Sequence, residues 1–251
     1  MKSIFETKSL SSNFDCGFQL FDLRNDLIAE YDDGVFKTML FGFLHKGVID
    51  LPNNYTHFGV VIEGKIKIIT EERIRNLESG DFFSVKGKAT IKSFGKGMIS
   101  SAFGYLGLNV FGGPIEDVGR LRYIDGCTDT LLVPPIRLGD PCFNHLHFPS
   151  GIIQTPHTHP SVRTGVVLRG AGICRVFTNC GKKYTYPLVP GYAFVIETET
   201  LHSFDTEEKS LDIIAFHPDS DTGMTDDDHP MVNRTIVGGI SASELDVIRT
   251  K

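Results

Sequence analysis

Hydrophobic and polar positions along this chain keep mostly to a period of two. Short runs such as KTMLFGFL (37–44), FGVVIEG (58–64), KIKIIT (65–70), DFFSV (81–85), TGVVLRG (164–170), GICRVF (172–177), YAFVI (192–196) and LDIIAF (211–216) are separated by glycine, proline, asparagine or acidic turns. Strands at that spacing predict an all-β sandwich or barrel. Helical periodicity is scarce. The best segment is SASELDVIRT (241–250), where Ser241 and Glu244 fit a capping box and predict a short C-terminal helix.

The two halves of the pattern resemble each other. Gly59-Val60-Val61-Ile62-Glu63-Gly64 matches Gly165-Val166-Val167-Leu168-Arg169-Gly170. Each hexamer is followed by a strand and then by a glycine that opens an aromatic run, Gly80-Asp81-Phe82-Phe83 and Gly191-Tyr192-Ala193-Phe194. So long a repeat is a duplicated domain rather than a solenoid unit. The glycine and proline content near GGPIEDVGRLRYIDGCTDTLLVPP predicts a join. The expected organisation is a first barrel over 1–112, a linker over 113–135 and a second barrel over 136–251.

Composition narrows the partners. The net charge of -6 gives no reason to expect nucleic acid or an anionic membrane. No run approaches the roughly 20 apolar residues of a membrane span, and the N-terminus lacks a signal-peptide core. Five widely spaced cysteines without a CxxC argue for free thiols and a reducing cytoplasm.

The candidate chemistry lies in GIIQTPHTHPSVRTGVVLRG (151–170). Residues i and i+2 of an extended strand share a face, so His157 and His159 can reach one ion with neutral ring nitrogens. Their setting resembles the first motif of the cupin superfamily, in which Gly, five residues, His-x-His, an acidic residue, six residues and Gly follow in order. Gly151, His157, His159 and Gly170 match, and PHTHP is similar to the germin-like branch. Arg163 stands at the acidic position. Gly191 and His202 match the second motif, while Glu197 and Glu199 replace its proline and second glycine. The resemblance implies two tandem cupin barrels of double-stranded β-helix, or jelly-roll, type. It also implies that His157, His159 and His202 converge on a divalent metal. In the first half, Leu51, Asn53, His57 and Ile91 fall at the positions of His157, His159, Arg163 and His202, so that barrel is expected to hold no metal.

Arginine has no lone pair for a metal. Either the Arg163 guanidinium points away, or it lies beside the ion and the pocket carries about +3 of charge that calls for an anion. In the second case Arg163 orients a small anionic substrate. Glu197 and Glu199 are candidates for a general base, or form a solvated turn. His145 and His147 in CFNHLHF share one face, either lining the pocket or lying outside at an inter-barrel contact. Tyr192 could donate a hydrogen bond to substrate. The acidic tail at 217–235 reads as a solvated loop, with calcium as a weaker alternative.

Three histidines without a carboxylate resemble the ligand sets of iron-dependent thiol, diketone and gentisate-type dioxygenases. The resemblance therefore implies an oxidoreductase with Fe2+ favoured, and Mn2+, Ni2+, Cu2+ or Zn2+ open on donor chemistry. A non-redox isomerase, lyase or hydrolase, and a non-catalytic ligand-binding cupin, stay open beside it. Homodimerisation is expected from family habit.

Overall fold

The computed structural model describes residues 16–248. In its first half, strands β1 (Phe18–Asp22), β2 (Asp26–Asp32), β3 (Lys37–Leu51), β4 (Tyr55–Ile69), β5 (Ile74–Glu78), β6 (Phe82–Lys86), β7 (Ala89–Phe103) and β8 (Val110–Gly112) follow in order. The second half carries β9 (Leu121–Arg122), β10 (Thr128–Val133), β11 (Cys142–Phe148), β12 (Arg163–Gly170), β13 (Gly172–Phe177), β14 (Lys183–Leu188), β15 (Tyr192–Ile196), β16 (Leu201–Asp205) and β17 (Leu211–His217). All eight predicted runs lie in strands. None of the five cysteines is in a disulfide. No helix among the described residues is long and apolar enough to cross a membrane.

The strands form two barrels. The first is a sheet in the order β2-β3-β7-β4-β6-β8, with β5 on β4. The second packs the sheet β1-β15-β12-β17-β11-β10-β9 against the smaller sheet β14-β13-β16. Three apolar cores result. Phe41, Phe43, Leu51, Ile68, Phe83 and Ile91 fill the first barrel. Phe18, Phe148, Val176, Leu188, Phe194 and Ile213 pack inside the second. Between the barrels, Phe58, Val60 and Met98 meet Phe143, Val166, Ile214 and Phe216, and Ser100 and Thr164 share a buried hydrogen bond of 2.6 Å.

The repeated hexamers occupy equivalent strands. A Cβ at Gly59 would overlap the Phe83 ring, and one at Gly165 the Phe194 ring. The same close approach thus explains the glycine and the distant aromatic in both halves.

Three expectations change in detail. Strand β1 belongs to the second barrel, pairing Phe18 with Ile196 through to Asp22 with Tyr192, so this part of the expected first barrel lies in the second. Residues 113–135 do not act as a linker, because β9 and β10 within them extend the second barrel's sheet beside β11. The short helix, α1, spans Pro230–Arg234, where proline suits the first turn and the His229 side chain accepts from the Met231 amide. At the predicted site only a 3-10 turn, Ala242–Glu244, forms. Ser241 caps the Ser243 amide there, and residues 249–251 lie outside the described residues.

Phe216 is fully buried, with its ring 5.0 Å from that of Phe58. Phe216→Ala is expected to cost about 3–5 kcal/mol in unfolding free energy, measured by chemical denaturation. A cost below about 1 kcal/mol would mean that the inter-barrel contact is loose.

Candidate metal centre

The segment before β12 is tied to β16 by two isolated antiparallel bridges, Ile153 with Asp205 and His157 with His202. The His157 amide donates to the His202 carbonyl (2.9 Å), and the His202 amide to the His157 carbonyl (3.0 Å). That pair alone sets two imidazoles side by side, with ring centroids 4.7 Å apart. His159 is held by the Glu199 amide, which donates to its carbonyl at 2.9 Å. Its ring lies 5.0 Å from that of His157 and 5.2 Å from that of His202. One donor atom from each of the three lies within 4.8 Å of the others. Small ring rotations bring such a set to the roughly 2.1 Å metal–nitrogen distance of imidazole sites.

Carbonyl contacts choose the tautomer. His202 Nδ1 lies 2.8 Å from the Thr200 carbonyl, and His157 Nδ1 3.1 Å from that of Thr155. A carbonyl only accepts, so both Nδ1 atoms carry the proton and both Nε2 atoms keep a lone pair. His202 Nε2 is buried without a protein partner. An unpaired buried nitrogen of this kind is costly unless something binds it, and a divalent cation fits.

The rings of His159 and His202 are also kept neutral. Burial first, then the charge of Arg163, pushes His159 down to about 2. Burial pushes His202 down to about 4. His217, at the end of β17, is lowered well below the usual histidine range by burial and by Arg163. Its ring lies 6.0 Å from that of His159.

Arg163 lines the same cavity and is buried, but its charge is answered. Nη1 donates to the Ser161 hydroxyl and to the Ser161 and Val162 carbonyls, and it lies 3.3 Å from Asp219 Oδ1. Ser161 in turn donates to Asp219. The acidic tail therefore reaches back into the barrel, and the expected surplus of about +3 does not arise. Arg163 Nε keeps no partner.

Several expected site residues stand elsewhere. Glu197 and Glu199 do not line the cavity: Glu197 Oε1 accepts from Gln19 (3.1 Å), and Glu199 is exposed on a turn. Glu199 has φ 56°, the left-handed region that favours glycine, so the backbone of the motif's glycine is kept without the glycine. Tyr192 packs at the edge of the second barrel's core. His145 and His147 lie on the outer face of β11, where Asp212 Oδ1 accepts from both (2.7 and 3.0 Å). In the first barrel His57 is buried, bonded to Ser101 and to the Pro52 and Gly87 carbonyls.

The cavity instead gathers Tyr123, Asp129, Asn144, Gln154 and His217 around the three imidazoles, over an apolar floor that includes Phe194, Phe204 and Ile213. Burial pushes the Asp129 carboxyl up to about 6, against a hydrogen bond from the Asn144 amide at 3.0 Å. Asn144 was within reach of sequence reasoning, since alternation places it on the face of Leu146 and Phe148. Asp129 lay in the supposed linker and gave no signal.

No protein-family description matches this sequence, and no curated protein matches it. Solved structures do match. A cupin 2 conserved barrel domain protein from Leptotrichia buccalis shares 15% identity over 82% of this chain and 91% of its own, with a TM-score of 0.52. Salicylate 1,2-dioxygenase from Pseudoaminobacter salicylatoxidans, a point mutant in complex with gentisate, shares 11% over 78% and 74%, at 0.56. Oxalate decarboxylase from Bacillus subtilis, studied for its Mn(II) centres, shares 10% over 82% and 74%, at 0.50. The likeness establishes the cupin fold.

Two outcomes follow from the site. Glu199→Gly relieves a left-handed residue and is expected to leave stability unchanged or raise it by about 1 kcal/mol, read from denaturant midpoints; a clear loss would show that the Glu199 side chain is needed. In metal-free protein, unfolded histidine takes up a proton near 6.5, whereas His202 resists to about 4. The unfolded state then binds more protons, so stability falls as pH drops from about 6.5 to about 4. Thermal melts across that window should show the fall, weakened in His202→Gln; an equal fall in the variant would assign the effect elsewhere.

Proposed function

We propose that this two-barrel cupin is a metal-dependent enzyme in which His157, His159 and His202 hold one divalent ion, and that it is a dioxygenase-type oxidoreductase acting on a small anion. The observation that carries this reading is the pair of carbonyl contacts at His157 and His202. They leave both Nε2 lone pairs unprotonated beside the cavity.

No carboxylate joins the three rings, so the ligand set is neutral and the ion's charge is left to be met by a bound anion. Fe2+ fits this donor set and the proposed chemistry, and Mn2+, Ni2+, Cu2+ or Zn2+ fit the donors equally. When bound, such an ion supplies Lewis-acid and redox chemistry at its open coordination positions. The chain's own residues do the rest. Apolar side chains below the rings exclude water. Burial first, and then Arg163, fixed by Ser161 and Asp219, keeps His159 and His202 in their neutral, ligating form. Asn144 and Gln154 present polar groups to whatever occupies the cavity. A structural neighbour named as a dioxygenase and another named for its Mn(II) centres support the reading at the level of fold and metal.

One observation favours a second reading. Asp129, with its carboxyl raised to about 6, is suited to proton transfer near neutral pH. That chemistry belongs to a non-redox isomerase, lyase or hydrolase using the ion as Lewis acid.

Metal analysis of the purified full chain, followed by oxygen uptake against small hydroxy and keto acids, thiols and catechols, tests the proposal. One metal per chain with oxygen consumption is expected, and His202→Ala should weaken metal binding by about tenfold or more. Metal without oxygen consumption would transfer support to the second reading. A chain that takes up no metal would sink both.

A further inference from the structure

The polar atoms of the cavity that have no partner in the protein specify a ligand. Among the described residues, eight buried side-chain polar atoms lack a hydrogen bond, and four of them belong to residues lining this one cavity: Asn144 Oδ1, Gln154 Nε2, Arg163 Nε and His202 Nε2. The His202 nitrogen is the metal donor discussed above. Each of the others is left over because its partner atom is occupied. Asn144 Nδ2 donates to Asp129, Gln154 Oε1 accepts from the Phe204 amide, and Arg163 Nη1 is held by Ser161 and Asp219. The remainder is two donor atoms, Gln154 Nε2 with two N–H protons and Arg163 Nε with one, and one acceptor atom, Asn144 Oδ1.

Resting on the metal-site reading, we propose that the site takes a short aliphatic 2-hydroxy carboxylate, its carboxylate facing Gln154 and Arg163 and its hydroxyl donating to Asn144. The two oxygens of one carboxylate match the two donors. One hydroxyl proton matches the one acceptor. An ammonium group brings three protons to a site with a single unmatched acceptor, and it would sit beside the cation. A keto acid or a diacid brings no donor and leaves Asn144 Oδ1 unpaired, which is the situation that makes polar sites reject close analogues. Size limits the class further. The cavity has a volume of about 50 Å³, a third of the roughly 150 Å³ apolar cavity known to take benzene, which favours the shortest acids of the class.

Calorimetric titration of the full chain with L- and D-lactate, pyruvate, oxalate, alanine and salicylate tests this, run both with and without a loaded divalent ion. One lactate enantiomer is expected to bind about tenfold or more tighter than pyruvate. The ratio should fall toward unity in Asn144→Leu and in the milder Asn144→Ala, with metal stoichiometry unchanged in each. Equal or tighter binding of pyruvate, oxalate, alanine or salicylate by the wild-type chain overturns the inference, as does a lactate preference that survives both Asn144 variants. Failure to load metal overturns the metal-site reading instead, and the lactate-to-pyruvate ratio of the unloaded chain then decides the inference on its own.

Discussion

The second barrel's chemistry depends on one backbone contact, the reciprocal amide–carbonyl pair between His157 and His202. The two residues are far apart in sequence, and their own side chains supply no attraction to bring them together. The ladder does it: β13 pairs with β16 and sets Val176 opposite His202, and the loop before β12 closes onto the other edge of β16 through this bridge and a second one between Ile153 and Asp205. Two imidazoles emerge from one register position, and His159 follows two residues later on the same face. Because the constraint is made of backbone hydrogen bonds, the ligand geometry is set before any metal arrives. That is the condition for tight binding without loss of conformational freedom at the moment of binding.

Charge is handled by a second layer. An arginine at the position usually taken by an acidic ligand looks hostile to a cation, and in isolation it would be. Asp219 and Ser161 turn the guanidinium into one half of a buried pair, and its remaining influence is to oppose protonation of His159, His202 and His217. A carboxylate ligand assists a metal by lowering the net charge of the site. Here that assistance is given up, and the imidazoles are instead protected from the competing proton. The exchange shifts charge compensation from the protein to the incoming ligand, which is why the substrate reading turns on an anion.

Sequence reasoning succeeded where chemistry coincided with backbone requirements. Gly165 is forced by the Phe194 ring and Gly170 by a φ of 80°, and the glycine frame anticipated that His157, His159 and His202 come together. It failed where a side chain's role depends on which face of a sheet meets which core. Glu197 and Glu199 sit at motif positions, yet their backbone serves the turn while their side chains point away from the cavity. Asp129, Gln154 and His217 carry no spacing signature, and they reach the cavity only because β10, the segment before β12, and β17 border it in three dimensions. The helix expected at 241–250 failed for a different reason: Ser241 spends its cap on the amide two residues on, and a 3-10 turn results.

The first barrel shows what the same frame becomes without ligands. Leu51 and Ile91, which fall at the positions of His157 and His202 in the sequence repeat, are almost completely buried, and Ile91 pairs with Ile49 rather than with Leu51, so the interior of that barrel is packed with hydrocarbon. His57, at the place of Arg163, has its ring bonded to Ser101 and two backbone carbonyls and is pushed down to about 4 by burial, which fits a neutral structural group. Filling that interior gives a dense, apolar body whose outer face packs on β11, β12 and β17 through Phe58, Val60 and Met98. Strand β12 begins at Arg163, and β17 ends at His217. The first barrel therefore supports, from behind, two of the strands that border the site, which gives the duplicated domain a physical role in the second barrel's geometry.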